Sequence, residues 1–437
     1  MSKRLINRVW IVAALLVAGL PLRAQNGAYN GYSPYSVYGI GDLHTAGTSF
    51  HTSMGGVGIA TRNKRFVNTL NPASITARDS LSFMADFGLS GKVSLFSQGD
   101  LRSVNTLFNI NDFVISFPLW RKTAFMAGIK PFSDTGFSVS YVDEETTGAK
   151  SIGYTGTRAY GAYGDGGLNQ IFLSGSVLLW NRLSLGAEYD LFFGTISKYS
   201  SSSFSDASYR AQTLGDTLQV NASTAKFGLQ YEQPIGRGRL TLGATYRLKA
   251  QVKGHAIEYS NVWEDDNGSK RTNRGLDGDN ISLGDEFGVG LSWSQGNRWM
   301  VEADYTRGDW TGSNFDKVRG FRNNGVYSFS SSVAQSARLG FELTPNRNDI
   351  RYFFKRCTYR AGAYVDQSYY QVDGQHLYSA GLTFGMTLPV HRGYNGITFA
   401  LDLGKRGFGN AFVQENYLGF HVGFNIFDIW FQKPRYE

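Results

Sequence analysis

The chain has 437 residues, with 43 Lys and Arg against 35 Asp and Glu, for a formal net charge of +8 at pH 7. Only 18% of residues are charged, below the ~25% of an ordinary soluble protein, while 15% are aromatic, 53 are Gly and 9 are Pro. A mean hydropathy of −0.26 excludes a bundle of membrane helices, the scarcity of Pro excludes a Pro-rich or collagen-like chain, and a single Cys, Cys357, excludes an internal disulfide and argues against a Cys-ligated zinc site.

Residues 1–24 read as a secretory signal peptide, with a basic start (Lys3, Arg4, Arg8), an apolar stretch from Val9 to Leu22 and a cleavage point after Ala24. The apolar run is short for a membrane helix, no basic stop follows it, and no Cys follows for lipid attachment. The mature chain is expected to start near Gln25. An exported chain with an amphipathic-sheet composition and no later spanning helix is either a soluble β protein or an outer-membrane β-barrel.

Residues 25–79 do not alternate and are dominated by Gly, Ser, Thr, Asn and Tyr. Some fifty residues without strands is long for a leader, and a wide barrel leaks unless filled. The expectation is an N-terminal luminal plug, or hatch.

From about residue 80 to the end, alternation of period two recurs. In 182–193, Leu183, Leu185, Ala187, Tyr189 and Leu191 oppose Ser184, Gly186, Glu188 and Asp190. The runs 239–250, 298–307 and 397–404 behave alike, each about as long as a tilted strand needs to cross a bilayer. Candidate strands are 80–97, 107–119, 123–141, 167–180, 182–196, 222–234, 239–257, 281–294, 298–307, 325–344, 357–366, 377–390, 396–404 and 415–431. Short links (121–122, 181–182, 236–238, 296–297, 391–395, with a longer one at 345–356) alternate with long polar links (142–166, 197–216, 260–280, 308–324, 367–376, 405–414). That asymmetry selects an all-β transmembrane antiparallel barrel of about 14 strands over residues 80–431, with tight periplasmic turns and long outer loops. Residues 151–163 are assigned to an outer loop, and Trp120, Trp180, Trp293 and Trp299 to an interfacial girdle. The last strand ends in Trp430 and Phe431, a terminal aromatic signal for the outer-membrane assembly machinery during biogenesis, followed by a periplasmic tail at 432–437.

The run Gly55-Gly56-Val57-Gly58-Ile59-Ala60, followed by Asn71-Pro72-Ala73 just ahead of the first strand, resembles the hatch of the long-chain fatty-acid and aromatic-hydrocarbon transporter family of outer-membrane barrels. The matching positions are Gly55, Gly56, Gly58, Ala60, Asn71, Pro72 and Ala73. The tail, with Gly404–Gly407 and Glu415-Asn416-Tyr417, looks like a Bacteroidetes-type branch of these proteins. The resemblance is sharp over about fifty residues and architectural over the rest. It implies passive uptake of a hydrophobic small molecule, with a hatch that shifts beside a break in strand pairing next to Asn71–Ala73.

The inward residues legible in the sequence are polar: Arg247, Lys249, Glu188, Asp190, Glu302, Asp304 and Asp402. Buried charges must be paired or hydrated, so a salt-bridged lumen that holds the plug is the plain reading. Arg247 and Lys249 as a carboxylate-binding pair is the functional one. Cations at short turns (Arg121, Lys122, Arg237, Arg239, Arg392) suit solvated turns or anionic lipid, not nucleic acid. Gly55–Gly58 lacks the βαβ context of a nucleotide loop, the six His show no metal spacing, and no enzyme chemistry, cofactor or metal is expected. Expected partners are outer-membrane lipid and lipopolysaccharide, a hydrophobic ligand, and protein partners in an outer-membrane complex. Three functions therefore compete: a hydrophobic-solute channel, a non-transporting barrel subunit of an assembly or secretion complex, and a polar-solute porin, against which the plug speaks. The hatch-like segment favours the first; the polar lumen and basic turns motivate the second.

Overall fold

The computed structural model describes residues 32–44, 47–79, 81–120, 122–143, 157–205, 210–262, 269–276, 280–296, 298–318, 329–390, 395–408 and 412–429. The expected signal peptide, 1–24, and tail, 432–437, lie outside these residues. Antiparallel strands close into one barrel of 14. They are β1 (Ser82–Gln98), β2 (Leu101–Trp120), β3 (Thr123–Asp143), β4 (Arg158–Leu179), β5 (Leu183–Phe204), β6 (Gln212–Ile235), β7 (Gly238–Arg247 and Ala250–Val262), β8 (Ser269–Gly275, Ser282–Leu283 and Asp285–Gln295), β9 (Trp299–Asp309), β10 (Phe329–Ser331 and Val333–Leu343), β11 (Thr358–Val372), β12 (Gln375–Pro389), β13 (Gly396–Arg406) and β14 (Gln414–Ile429). Pairing of β14 with β1, from Gln414↔Ser97 to Ile429↔Ser82, closes the cylinder.

Alternation explains the wall. Along β5, Leu185, Ala187, Tyr189, Leu191 and Phe193 are exposed on the outside, while Ser184, Glu188, Asp190 and Phe192 are buried in the bore. The outside turns polar at Thr195, so the apolar band covers about half of the 22-residue strand and the remainder rises beyond it. The expected short turns share the end that carries Ser82 and Ile429. At one of them Trp180 and Asn181 both adopt positive φ (46° and 58°), the backbone a tight hairpin requires.

Three expectations are corrected. The link expected over 367–376 is a hairpin turn at Asp373-Gly374 (φ 50° and 74°), an Asp-Gly pair that supplies two left-handed residues at little cost. Arg158–Tyr163, assigned to a loop, lengthens β4 without adding a strand, so parity survives. β1 and β2 are joined by Gly99-Asp100 alone, with Gly99 at φ 58°. Outer links are therefore not uniformly long.

The wall parts at one seam. β2 and β3 pair from Trp120↔Thr123 to Phe113↔Ile129 and then separate. Each carries an extra residue there: Asn111 on β2, between Gly88↔Asp112 and Leu89↔Ile110, and Phe132 on β3, between Pro131↔Asn169 and Ser133↔Leu168. Pro131 has no N–H for the ladder, and the Phe132 ring turns inward to Phe192, 4.6 Å between centroids. The freed edge of β3 is taken by the leading segment: Asp42↔Asp134 and Leu43↔Ser133 pair, His44 N–H donates to Phe132 O at 2.9 Å, and Ser33 N–H donates to Gly136 O at 2.8 Å.

Inside the barrel three apolar clusters are stacked. One joins Tyr35, Tyr38 and Ile40 of the leading segment to Phe192, Trp310, Phe315, Tyr369 and Tyr370. A second gathers Phe50, Met54, Val57, Phe66 and Met300. The third, around Val67, Ile75, Met126 and Phe172, lies towards the short turns.

Candidate functional site: the bore and its leading segment

Residues 48–76 rest on a belt of inward-facing wall glycines. Four cross-strand pairs compose most of it: Gly186↔Gly228, Gly243↔Gly290, Gly340↔Gly362 and Gly423↔Gly88. A Cβ at Gly243 would strike the Ile59 carbonyl, one at Gly362 the Gly55 amide, and one at Gly186 the Pro72–Ala73 backbone. Main chain thus lies directly on main chain, an approach only glycine permits.

The same segment is held by carboxylates. Gly58 N–H and Ile59 N–H donate to Asp304 Oδ2 at 2.7 and 2.9 Å, Ala60 N–H donates to Glu302 Oε1 at 2.8 Å, and the Thr61 hydroxyl donates to the second Glu302 oxygen. Each such hydrogen bond contributes about 1 kcal/mol, and leaving a buried amide without its acceptor costs about 1–3 kcal/mol. On the carbonyl side, Gln230 and Asn71 amides donate to Ile59 O at 2.9 and 2.8 Å. Asn71 also accepts from Ala73 N–H at 3.0 Å, capping a short 3-10 turn that Pro72 opens, and Ser184 donates to Ala73 O at 2.6 Å. His51 is fully buried here, and burial drives its imidazole down to about 3, so it is neutral and accepts from Thr48 N–H at 3.0 Å.

Above this belt lies a cavity of about 430 Å³ with charged walls, including Lys92, Asp134, Arg338, Asp366, Asp402 and Arg406. Tyr364 donates to Asp402 at 2.8 Å, and Arg338 forms a two-oxygen pair with Asp366 at 2.9 and 3.0 Å. The leading segment crosses the cavity as a strap. Arg406 grips both oxygens of Asp42 at 2.7 Å, stacks on Tyr35 at 4.8 Å and approaches Glu415 at 3.9 Å, while Lys92 pairs with Glu415 at 2.6 Å. Burial opposes charge on Asp42, but Arg406 outweighs it and holds the carboxyl below its ordinary range. At the seam His44 pairs with Asp134; burial works against its charge, and the carboxylate more than compensates, raising the imidazole above its ordinary value.

A leading segment packed into a closed barrel bears comparison with known proteins. The family model BamG matches residues 1–437. The chain belongs to the BamG family. Solved structures sharing its fold include the toluene transporter TbuX of Ralstonia pickettii, at 14% identity and a TM-score of 0.56 over 86% of this chain and 97% of that one. The toluene transporter TodX of P. putida gives 13% and 0.55 over 90% and 100%. A FadL homologue of Pseudomonas aeruginosa gives 12% and 0.54 over 90% and 100%. At such identities the likeness carries the fold alone. No curated protein matches the sequence. The chain is an outer-membrane β-barrel.

The structure brings Gly55, Gly58, Ala60, Asn71, Pro72 and Ala73 together on the wall, and Gly56 turns the chain beside them at φ 78°, donating to His51 O at 2.8 Å. It separates Arg247 from Lys249. Pairing passes from Lys226↔Arg247 to Ala222↔Val252, so one extra residue sits on β7, and this bulge returns Ala250 to the bore and leaves Lys249 exposed outside. Arg247 stays inward, 3.5 Å from Glu286. The expected break in pairing next to Asn71–Ala73 is also corrected: β5 and β6 pair without interruption there, and the break is the β2–β3 seam beside Leu43, His44 and Gly47. Sequence reasoning missed the wall glycines and the Asp42–Arg406 clamp. Gly at inward positions of alternating runs was the available signal for the first; nothing in the sequence announced the second.

Proposed function

We propose that this chain is a sealed, non-conducting outer-membrane barrel that serves as a subunit of the outer-membrane assembly machinery, with residues 25–79 as its plug. One observation carries the reading. The bore is built as protein core at both levels, by the aromatic cluster of Trp310, Tyr369 and Tyr370 on one side and by the glycine-seated segment on the other. The cavity between them sets charged side chains such as Lys92, Arg338 and Asp402 beside apolar ones such as Leu43 and Leu107. The BamG name points the same way. A barrel that conducts nothing still offers a rigid lipid-embedded body to which other subunits can bind. The test is mild extraction of the tagged chain from native membranes, with cross-linking and mass spectrometry. Stoichiometric recovery with proteins of the barrel-assembly complex is expected; a solitary barrel would sink the reading.

A second reading, passive uptake of hydrophobic compounds, is favoured by a different observation. The β2–β3 seam lies at the level of outward-facing Phe108 and Ile110, and Leu107 and Asn109 of β2 line the cavity behind it. A side exit to the membrane would sit there, with Arg247 as a carboxylate anchor on the bore wall. Uptake of a labelled aromatic hydrocarbon into proteoliposomes holding the purified chain supports this reading if it exceeds empty liposomes, and removes it if it does not.

A further inference from the structure

At the foot of the seam four buried polar side chains meet, each with at least one hydrogen-bonding atom unspent. Asp86 on β1 lies opposite Asn425 on β14, and Gly88, two residues along, lies opposite Gly423. The glycine pair makes room for two incoming groups. A Cβ at Gly423 would stand 3.0 Å from Ser49 Oγ, and one at Gly88 would stand 3.1 Å from Asp112 Cγ. Directly opposed residues have their α-carbons about 4.5–5.5 Å apart, so the Ser49 hydroxyl, both carboxylates and the Asn425 amide converge on one small space. All four side chains are buried: Ser49 is 1% exposed, Asp86 4%, Asp112 2% and Asn425 3%. Ser49 Oγ, Asp86 Oδ1, Asp112 Oδ2 and both polar atoms of Asn425 have no hydrogen-bond partner.

The two carboxyl groups lie within hydrogen-bonding reach of each other, and the Asn425 side chain lies within reach of Asp86. Asn111 donates to Asp112 Oδ1 at 2.8 Å, the oxygen nearest Gly88, and Oδ2 has no hydrogen-bond partner. Lys130 is the basic residue whose field reaches Asp112, but among the described contacts no ion pair joins a basic side chain to either carboxylate. Two carboxyl groups, an amide oxygen and a hydroxyl oxygen, buried together, form an all-oxygen donor set.

We propose that Asp86, Asp112, Asn425 and Ser49 bind a single calcium ion. Its two positive charges balance the two carboxylates, and calcium tolerates the mixed, irregular oxygen shell that magnesium rejects. A group of three or more acidic, His or Cys ligands is absent among the described residues; here an amide and a hydroxyl complete the set. Because Ser49 belongs to the leading segment and the other donors to β1, β2 and β14, the ion ties that segment to the three strands where the barrel closes and where the seam begins.

The test uses the full chain, purified in detergent and passed through chelating resin. Elemental analysis is expected to find one calcium per chain, and thermal unfolding in EGTA is expected to fall and to be restored by calcium but not magnesium. Asp112→Asn keeps shape and removes charge, and Ser49→Ala alters no wall strand; each is expected to weaken calcium at least ~10-fold by titration. Unchanged unfolding in EGTA with no retained calcium would overturn the site and leave a shared proton between the carboxyls. Calcium retained equally by wild type and both variants would overturn it too, as metal held by co-purified lipopolysaccharide.

Discussion

The two halves of the leading segment are held by different physics. Residues 48–76 lie main chain to main chain on wall glycines and give their amides to Glu302 and Asp304. Residues 33–44 act as a substitute strand along β3, fixed by Arg406 on Asp42 and by Asp134 on His44. The first attachment depends on shape and has no alternative seating. The second combines a ladder edge, ion pairs and the apolar packing of Tyr35, Tyr38 and Ile40. The contrast predicts a segment that loosens at the seam before it loosens at the belt.

The strongest way to break that contrast is to fill the belt. Gly362→Val drives a side chain into the Gly55 backbone, and overpacking that backbone shifts must relieve costs ~3 kcal/mol or more. Hydrogen exchange at Gly58–Thr61 should rise to that of a free loop, and the barrel should gain discrete conductance in planar bilayers. Asp304→Ala is next: it strands two amides, costs about 3 kcal/mol, and should speed exchange at Gly58 and Ile59 about 100-fold without opening the seam.

Arg406→Gln sharpens the other side. It removes the grip on Asp42 and leaves Glu415 with Lys92 alone, a loss of about 2 kcal/mol for partly exposed partners. Exchange should rise at residues 33–44 while Gly58–Thr61 stay protected. Parallel loosening of both stretches would show that the halves are one unit.

Acid should move the halves in opposite directions. His44 is raised by Asp134, so its contribution is complete below the unfolded value of ~6.5 and is lost as pH rises through the folded value. His51 is lowered to about 3 by burial, so its region weakens as pH falls from ~6.5 towards that value. Exchange should slow at residues 33–44 as pH falls to ~6.5 from above, and quicken at residues 48–61 as it falls further. His51→Gln should abolish the second trend and leave the first.

Much of the wall was legible because lipid outside and polar contacts inside impose one periodicity over ten residues at a time, as in Leu183–Asp190. The Gly55–Ala60 and Asn71–Ala73 motifs were legible through their resemblance to the hatch of the fatty-acid and aromatic-hydrocarbon transporter family. Bulges were not legible. An inserted Asn111, Phe132 or second residue after Arg247 leaves composition unchanged and reverses the face of everything beyond it. The seam depends on two of these bulges, so its position could not be read from alternation. The Asp42–Arg406 clamp joins positions 364 residues apart, and no local pattern encodes such a partner.

The bulge on β7 supplies the smallest test. Arg247 and Lys249 look equivalent in a strand of strict period two, yet only Arg247 enters the bore, where its guanidinium stacks 5.5 Å from Phe132 and 5.9 Å from Phe192. Phe132 is inserted on β3 just beyond the last β2–β3 pair, Phe113↔Ile129, so Arg247 reaches the seam from across the barrel. Arg247→Ala should cost about 1 kcal/mol and raise exchange at His44, whose amide binds Phe132 O. Lys249, turned out towards Gly312 O at 3.5 Å, should tolerate Ala within about 0.5 kcal/mol. Equal effects from the two substitutions would mean that the bulge is absent and that both cations share the bore.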